Sequence, residues 1–284
     1  MPSSNNAAPL LFDRALLNVR QMRAAKLGAE PFLLDRAVDD AMERLGAVTR
    51  TFSNGIDLAT PGDQLRGALR DRVATLTAVD LPQIDSASLH LAPESIDLVV
   101  SLLALQFVND LPGVLAQLRR ALKPDGLLLA AMIGGDTLTE LRQSFALAEA
   151  EIEGGASPHV SPFADLRDVG GLLQRAGFAL PVTDLDRVVV RYDNAFALMQ
   201  DLRRMGATNV LVERRKLPTR RATMLRMAQV YGERFADPDG RIRATFDIIW
   251  LLGWAPHASQ PKPLRPGSAK FSLEDAVKKV RKEQ

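Results

Sequence analysis

The sequence predicts an α/β fold, a doubly wound and mostly parallel sheet. Three observations predict it. Residues 95–103 are continuously apolar apart from Ser95, Asp97 and Ser101, as a parallel strand covered on both faces is. Strand-like and helix-like segments alternate from residue 49 to residue 133, the pattern of βαβ units. A tight turn, Ala59-Thr60-Pro61-Gly62, follows the first of these strands, and an acid, Asp80, closes the second.

Taken in order, residues 11–26 form a first helix. Residues 31–45 place Phe32, Leu33, Val38, Met42 and Leu45 at a helical period, and Pro31 suits a first helical turn. Residues 49–58 read as a strand, 62–69 as a short helix and 73–79, rich in β-branched residues, as a second strand. After 95–103, Asn109 caps a helix running to residue 122. Lys123-Pro124-Asp125-Gly126 stops it with the cation, proline and glycine that helix ends favour. Residues 127–133 are another buried strand. Asp136 or Thr137 caps the next helix, to residue 152, with Glu140 placed for a capping box. Gly154, Gly155, Pro158 and Pro162 mark a loop. A helix over 163–176 is closed by Gly177, a strand follows over 187–192, and two helices over 194–205 and 219–235. Asp237-Pro238-Asp239-Gly240 is a turn. Residues 242–254 alternate Ile242, Ala244, Phe246, Ile248 and Trp250 as a strand, and a last helix is expected over 273–282. The chain therefore divides into N-terminal helices (1–46), a main domain (47–256) with a helical insert at 194–240, and a basic tail (257–284).

Composition bounds the function. At 284 residues, with 46% hydrophobic and 25% charged residues, the chain is an ordinary globular sequence with enough length for a large core. No apolar run reaches the roughly 20 residues of a membrane helix. The absence of cysteine excludes disulfides, thiol nucleophiles and thiolate metal sites. The net charge of +2 is uneven: residues 257–284 hold seven Lys or Arg against three acids, so the rest of the chain is net negative. That tail reads as a solvated terminus or as a contact for an acidic protein surface or anionic lipid. Nucleic acid is not an expected partner, because two Trp and two Tyr offer little aromatic interleaving. The first nine residues lack the basic start and apolar core of a secretory signal.

The order of elements, with a late strand arriving after a helical insert, resembles the seven-stranded fold of class I S-adenosylmethionine (SAM) methyltransferases. The resemblance is closest to one branch, that of the malonyl-carrier-protein methyltransferase of biotin synthesis and its relative, a mitochondrial complex I assembly factor reported as an arginine hydroxylase. Phe12-Asp13-Arg14, Leu103-Ala104-Leu105-Gln106-Phe107-Val108-Asn109-Asp110-Leu111-Pro112, Leu122-Lys123-Pro124-Asp125-Gly126, Gly134-Gly135-Asp136-Thr137-Leu138-Thr139-Glu140-Leu141 and Trp254-Ala255-Pro256-His257 carry it. It covers nearly the whole chain.

The resemblance implies SAM as cofactor, with Asp57, Ala59 and Gly62 at the first turn, Asp80 on the ribose hydroxyls, Asp85 near the adenine and Gln106 beside them. The first strand usually ends in Asp-x-Gly-x-Gly-x-Gly. Here Ala59 takes the first glycine position, and Thr60-Pro61-Gly62 leaves one glycine and one residue fewer. Glycines there let backbone approach a cofactor without a Cβ in the way, and proline removes a donor. Only Leu81-Pro82-Gln83-Ile84 separates Asp80 from Asp85, whereas a two-turn helix needs about seven residues. The usual crossover helix is expected to be missing, with one wall of the pocket.

Asp57 and Asp80 read equally as cofactor ligands or as solvated strand-end acids. If a methyl acceptor must lose a proton, Asp110 and Asp136, at the carboxyl edge of the sheet, are the candidate bases. His90, His159 and His257 are isolated in sequence and form no ligand pair, so no metal site is expected. Arg214-Arg215-Lys216 and Arg220-Arg221 read as a solvated loop and helix start, or as a partner contact. Two functions follow: a SAM-dependent methyltransferase-like protein acting on a protein substrate, a complex I subunit in the assembly-factor branch, or a cofactor-free pseudoenzyme or assembly chaperone. The expected compartment is the cytoplasm of a bacterium or the mitochondrial matrix of a eukaryote.

Overall fold

The computed structural model describes residues 10–28, 31–84 and 89–261. Six strands, β1 (Phe52–Leu58), β2 (Val73–Val79), β3 (Ile96–Leu102), β4 (Leu122–Gly134), β5 (Ala179–Tyr192) and β6 (Ile242–Trp254), form one sheet in the order β2-β1-β3-β4-β6-β5. β2, β1, β3 and β4 run parallel, and β6 runs antiparallel to both β4 and β5. The helices are α1 (Arg14–Leu27), α2 (Phe32–Gly46), α3 (Gln64–Leu69), α4 (Leu81–Ile84), α5 (Leu111–Ala121), α6 (Thr139–Glu153), α7 (Leu166–Arg175), α8 (Ala195–Arg204) and α9 (Arg221–Phe235).

The doubly wound sheet matches the expectation, but among the described residues it has six strands where seven were expected. The seventh would follow β2. Among the described residues there, the chain holds only the four-residue α4, too little for a crossover helix and a further edge strand. Asp85 and the predicted C-terminal helix lie outside the described residues.

Strand alternation builds two helical layers. In β4, Leu127, Leu129 and Ala131 join a core with α2, α6, α8 and α9, while Leu128, Ala130 and Met132 join a second core with α5 and α7. A side-chain period of two puts neighbours on opposite faces, so every residue of β3 is buried. β5 is the edge strand on the antiparallel side. Its half-exposed alternation hid residues 179–186 from the sequence reading.

Caps fix where helices begin. Asp13 Oδ1 accepts from Leu16 N–H (3.0 Å) at α1, and Asn194 accepts from Phe196 and Ala197 at α8. Two predicted caps are corrected. The cap of α5 is Asp110, whose Oδ1 accepts from Gly113 N–H at 2.9 Å. Asn109 instead accepts from the N–H groups of Leu11 and Phe12, both at 2.8 Å, and so ties the N-terminal segment to the sheet. The capping box at α6 does not form, because its cap position is Leu138 without a side-chain bond. Thr137 Oγ1 accepts from Asp247 N–H, and Glu140 takes the N–H and hydroxyl of Thr245. Both potential caps serve β6, over a hundred residues away.

Candidate functional site

A cavity of about 1310 Å³ opens at the carboxyl edge of β1, β2, β3 and β4. Ligands of open α/β sheets bind on this edge. One wall is made of strand ends: Ala59 to Gly62 after β1, Asp80 to Pro82 after β2, Leu103, Gln106 and Phe107 after β3, and Thr137 and Leu138 after β4. The opposite wall is helical, with Gln21 and Ala24 of α1, Phe145 of α6, His159, and Phe196, Met199 and Arg203 of α8.

The turn after β1 is held from below. Asp57, 1% exposed, accepts from Thr60 N–H at 3.2 Å. Burial pushes its carboxyl above the ordinary aspartate value, against the pull of the Thr60 hydrogen bonds and the Arg66 charge. Thr60 Oγ1 accepts from Leu102 N–H, and Ser101 donates to Leu58 carbonyl, so β3 braces the turn. Arg66 of α3 closes the outer side by donating to Asp57, to the Gly62 carbonyl at 2.8 Å and to Asp63.

Ala59 has φ of 57°, Leu103 and Leu138 each 54°. All three are non-glycine residues in the left-handed region; Ala59 and Leu103 directly follow β1 and β3, Leu138 ends the turn between β4 and α6, and each lines the cavity. Their N–H groups donate to Val79, Ala131 and Thr245 carbonyls at 2.7–2.8 Å. Such conformations cost about 1–3 kcal/mol each and cluster at functional sites. The glycine-poor turn therefore keeps the backbone shape of a glycine while carrying a Cβ.

Asp80 lines the cavity, is exposed, and has no hydrogen bond or ion pair among the described residues. Gln106 spans two strand ends: its Nε2 donates to Leu103 carbonyl (2.7 Å) and its Oε1 accepts from Ile133 N–H (3.4 Å). Asp57, Ala59, Gly62, Asp80 and Gln106 thus come together around one cavity. Asp110 and Asp136 do not join them. Asp110 caps α5, and Asp136 pairs with Arg187 at 2.8 Å, in a cluster where Arg187 also grips the buried Asp247.

A pairing that sequence reading missed faces the same cavity. His159 Nε2 lies 2.8 Å from Glu149 Oε1, and its ring stacks on Phe145 with centroids 3.7 Å apart. Burial disfavours the charged form of Glu149, but hydrogen bonds from His159 and Ser157 outweigh it and hold the carboxyl below the ordinary glutamate value. A carboxylate acceptor at Nε2 favours the tautomer with the ring proton there and gives Nδ1 the acceptor role. Nδ1 has no hydrogen bond among the described residues. The loop containing Gly154, Gly155 and Pro158 folds His159 back over α6, and no local sequence pattern encodes that return. Among the described residues, no group of three His, Cys, Asp or Glu side chains is placed to hold a metal ion, and no helix is long and apolar enough to cross a membrane.

Rattus norvegicus has a protein named "Arginine-hydroxylase NDUFAF5, mitochondrial" that is 38% identical over 98% of this chain and 88% of its own length. The chain belongs to the arginine-hydroxylase NDUFAF5 family. The Dictyostelium discoideum member is 49% identical over 62% of this chain, which spans only 41% of that relative's length. A malonyl-[acyl-carrier protein] O-methyltransferase of Xylella fastidiosa is 42% identical over 62% of the chain and 57% of its own length. A family model described as a methyltransferase domain matches residues 47–130. A solved putative methyltransferase from Bacillus halodurans superposes with a TM-score of 0.51 at 15% identity, over 78% of this chain and 99% of the other. That likeness shows the methyltransferase-type fold.

The motifs that pointed to this family have distinct structural duties. Gln106 and Phe107 face the cavity, while Asn109 and Asp110 hold α1's entry and α5's start. Gly134 and Gly135 are glycines because β6 comes close. A Cβ would meet Ile249 Cδ1 at 2.3 Å and Asp247 Oδ2 at 2.5 Å respectively. Ala255 exchanges hydrogen bonds with the Asp125-Gly126 turn, so the Lys-Pro-Asp-Gly and Trp-Ala-Pro-His stretches meet in the fold.

Proposed function

We propose that this chain binds S-adenosylmethionine at the carboxyl edge of its sheet and modifies a side chain of a protein partner during assembly of a respiratory complex I. The partner and its arginine target are carried over from the name of the arginine-hydroxylase relatives and from the motifs shared with the assembly-factor branch. The compartment would be the one in which that complex is assembled, the bacterial cytoplasm or the mitochondrial matrix.

The observation that carries the reading is the open crevice with Asp80 at its edge. The residues fit an adenosyl group. An exposed carboxylate, without an ion pair among the described residues, suits a pair of ribose hydroxyls. Leu81, Pro82, Leu103 and Phe107 supply apolar wall for a base. The volume of about 1310 Å³ exceeds the roughly 300–1,000 Å³ of sites for single drug-sized ligands, which leaves space for a substrate side chain as well. When bound, SAM supplies an electrophilic methyl group on a sulfonium. The chain's own residues orient the reactants: the Ala59–Gly62 turn and Asp80 hold one, and the helical wall presents the other. His159, held by Glu149, accepts at Nδ1 the proton that a nucleophilic side chain must lose. Asp110 and Asp136, the bases expected from sequence, lie outside the cavity, on the start of α5 and on Arg187.

Calorimetric titration with SAM tests this. Micromolar binding weakened roughly 10–100-fold in Asp80→Ala supports it, as expected for one lost charged hydrogen-bond acceptor. No binding at millimolar SAM sinks it. Mass spectrometry of the partner then separates an added methyl from an added hydroxyl. One observation favours the second reading, a cofactor-free assembly chaperone. Ala59 and Pro61 place a Cβ and a ring without an N–H donor where a glycine-rich turn would be bare.

A further inference from the structure

Three guanidinium groups meet at one rim of the cavity. Arg20 and Arg23 stand three residues apart on α1, hence on one face, and Arg203 is in the last turn of α8. With Thr208 they line a notch of about 110 Å³. Arg20, Arg203 and Thr208 also line the main cavity, so the two spaces share a wall. The helices are brought this close by small residues: Gly206 lies 3.5 Å from both Ala24 Cβ and Gln21 Cα, measured from where its own Cβ would be.

Among the described residues, none of the three arginines forms an ion pair with a carboxylate. Asp13 supports the charge of Arg20 from a distance, but it already accepts from Leu16 N–H and pairs with Arg214 at 3.2 Å. Arg20 is half-buried, and burial followed by repulsion from Arg214, Arg23 and Arg203 disfavours its charge. Arginine does not respond by losing its proton. Neighbouring guanidinium groups that no carboxylate pairs with are unfavourable for the fold alone, and their planar forks match the oxygens of phosphate and carboxylate. At about 30 Å³ per water, the notch holds a group of a few heavy atoms, the size of one such oxyanion.

We propose that Arg20, Arg23 and Arg203, with the Thr208 hydroxyl, form a receptor for an oxyanion, phosphate or carboxylate, carried by the substrate that enters the main cavity. This rests on the reading that the main cavity takes a substrate, but not on SAM binding. The reacting group and the recognised anion would then belong to one molecule, with the anion fixing its register.

The test is thermal melting of the full chain at matched ionic strength in sodium chloride, inorganic phosphate or acetate. Wild type should be stabilised saturably by one oxyanion and not by chloride. Stabilisation by phosphate alone identifies a phosphoryl group, and equal stabilisation by acetate identifies a carboxylate. In the Arg20→Gln/Arg203→Gln double variant, the apparent affinity should fall at least roughly tenfold. In chloride that variant should melt no lower than wild type, because repulsion has been removed. Wild-type protein indifferent to all three anions, or a double variant that responds as wild type does, overturns the proposal. Asp80→Ala separates it from the cofactor reading: that variant should keep the anion response while losing SAM.

Discussion

The two walls of the cavity differ in what makes them. The sheet-edge wall is backbone: three left-handed residues, Ala59, Leu103 and Leu138, each held by a hydrogen bond to a neighbouring strand. The helical wall is side chains: His159 on buried Glu149, and arginines from α1 and α8. The first wall is built where strands end, so its position is fixed by the sheet. The second is assembled from three segments far apart in the chain. The backbone wall suits a cofactor common to a fold, whereas the side-chain wall can be varied for a substrate without disturbing the sheet.

That division is open to a direct break. His159→Gln should lower the rate of partner modification roughly 10²–10⁴-fold, the usual contribution of a positioned proton acceptor, while SAM affinity stays unchanged. A His159→Gln protein that loses SAM binding and activity together would mean that the walls do not separate cofactor from chemistry. Asp80→Ala, on the other wall, is the mirror case: SAM affinity falls and the melting temperature does not.

Glu149 sharpens the same contrast through pH. Its folded-state carboxyl is held below the ordinary glutamate value, so the unfolded chain binds the proton more tightly. The stability it contributes is therefore complete above the ordinary glutamate value and is lost as pH falls through that range toward the folded value. Glu149→Gln cannot titrate. Urea melts across a pH series should show wild type more stable than Glu149→Gln at neutral pH, with the gap closing in acid. A gap that stays constant with pH would assign Glu149's role to packing rather than to its charge on His159, Ser157 and the more distant Arg215, 4.0 Å away.

The same contrast explains what could be read in the sequence. β3 announces itself because every residue is buried, and β1, β2 and β6 because their patterns are local. That Asp57, Ala59, Gly62, Asp80 and Gln106 would line one cavity was legible because strand ends in this fold converge by topology. The sequence reading took Asn109 as the cap of α5 and Asp110 as a candidate base, and local chemistry gave no reason to exchange them. The choice was made by Leu11 and Phe12, about a hundred positions away. Glu140 was read as part of a capping box for the same reason, since nothing nearby shows that Thr245 will claim it. The Glu149–His159 pair and the arginine notch depend on loop return and on helix approach, which no spacing rule carries.

The smallest predicted effect probes the backbone wall alone. Ala59→Gly removes one Cβ at a left-handed position, relieving roughly 1–2 kcal/mol of steric cost. Against this, glycine adds unfolded-state entropy worth about 0.4–1 kcal/mol. The balance is a stabilisation of up to roughly 1.6 kcal/mol, a rise in melting temperature of about 1–3 °C for a chain of this size, with SAM affinity unchanged or tighter. Leu103→Gly has the same φ to relieve, but Leu103 packs against the core beside β3, so its loss of apolar contact should outweigh the gain and destabilise. Opposite signs at two positions with nearly identical backbone angles would show that the strand-end geometry is imposed by the sheet's hydrogen bonds and not by the residues that occupy it. A destabilised Ala59→Gly would instead mean that the turn depends on its methyl group, and that the backbone wall is less independent of side chains than the helical wall's counterpart makes it look.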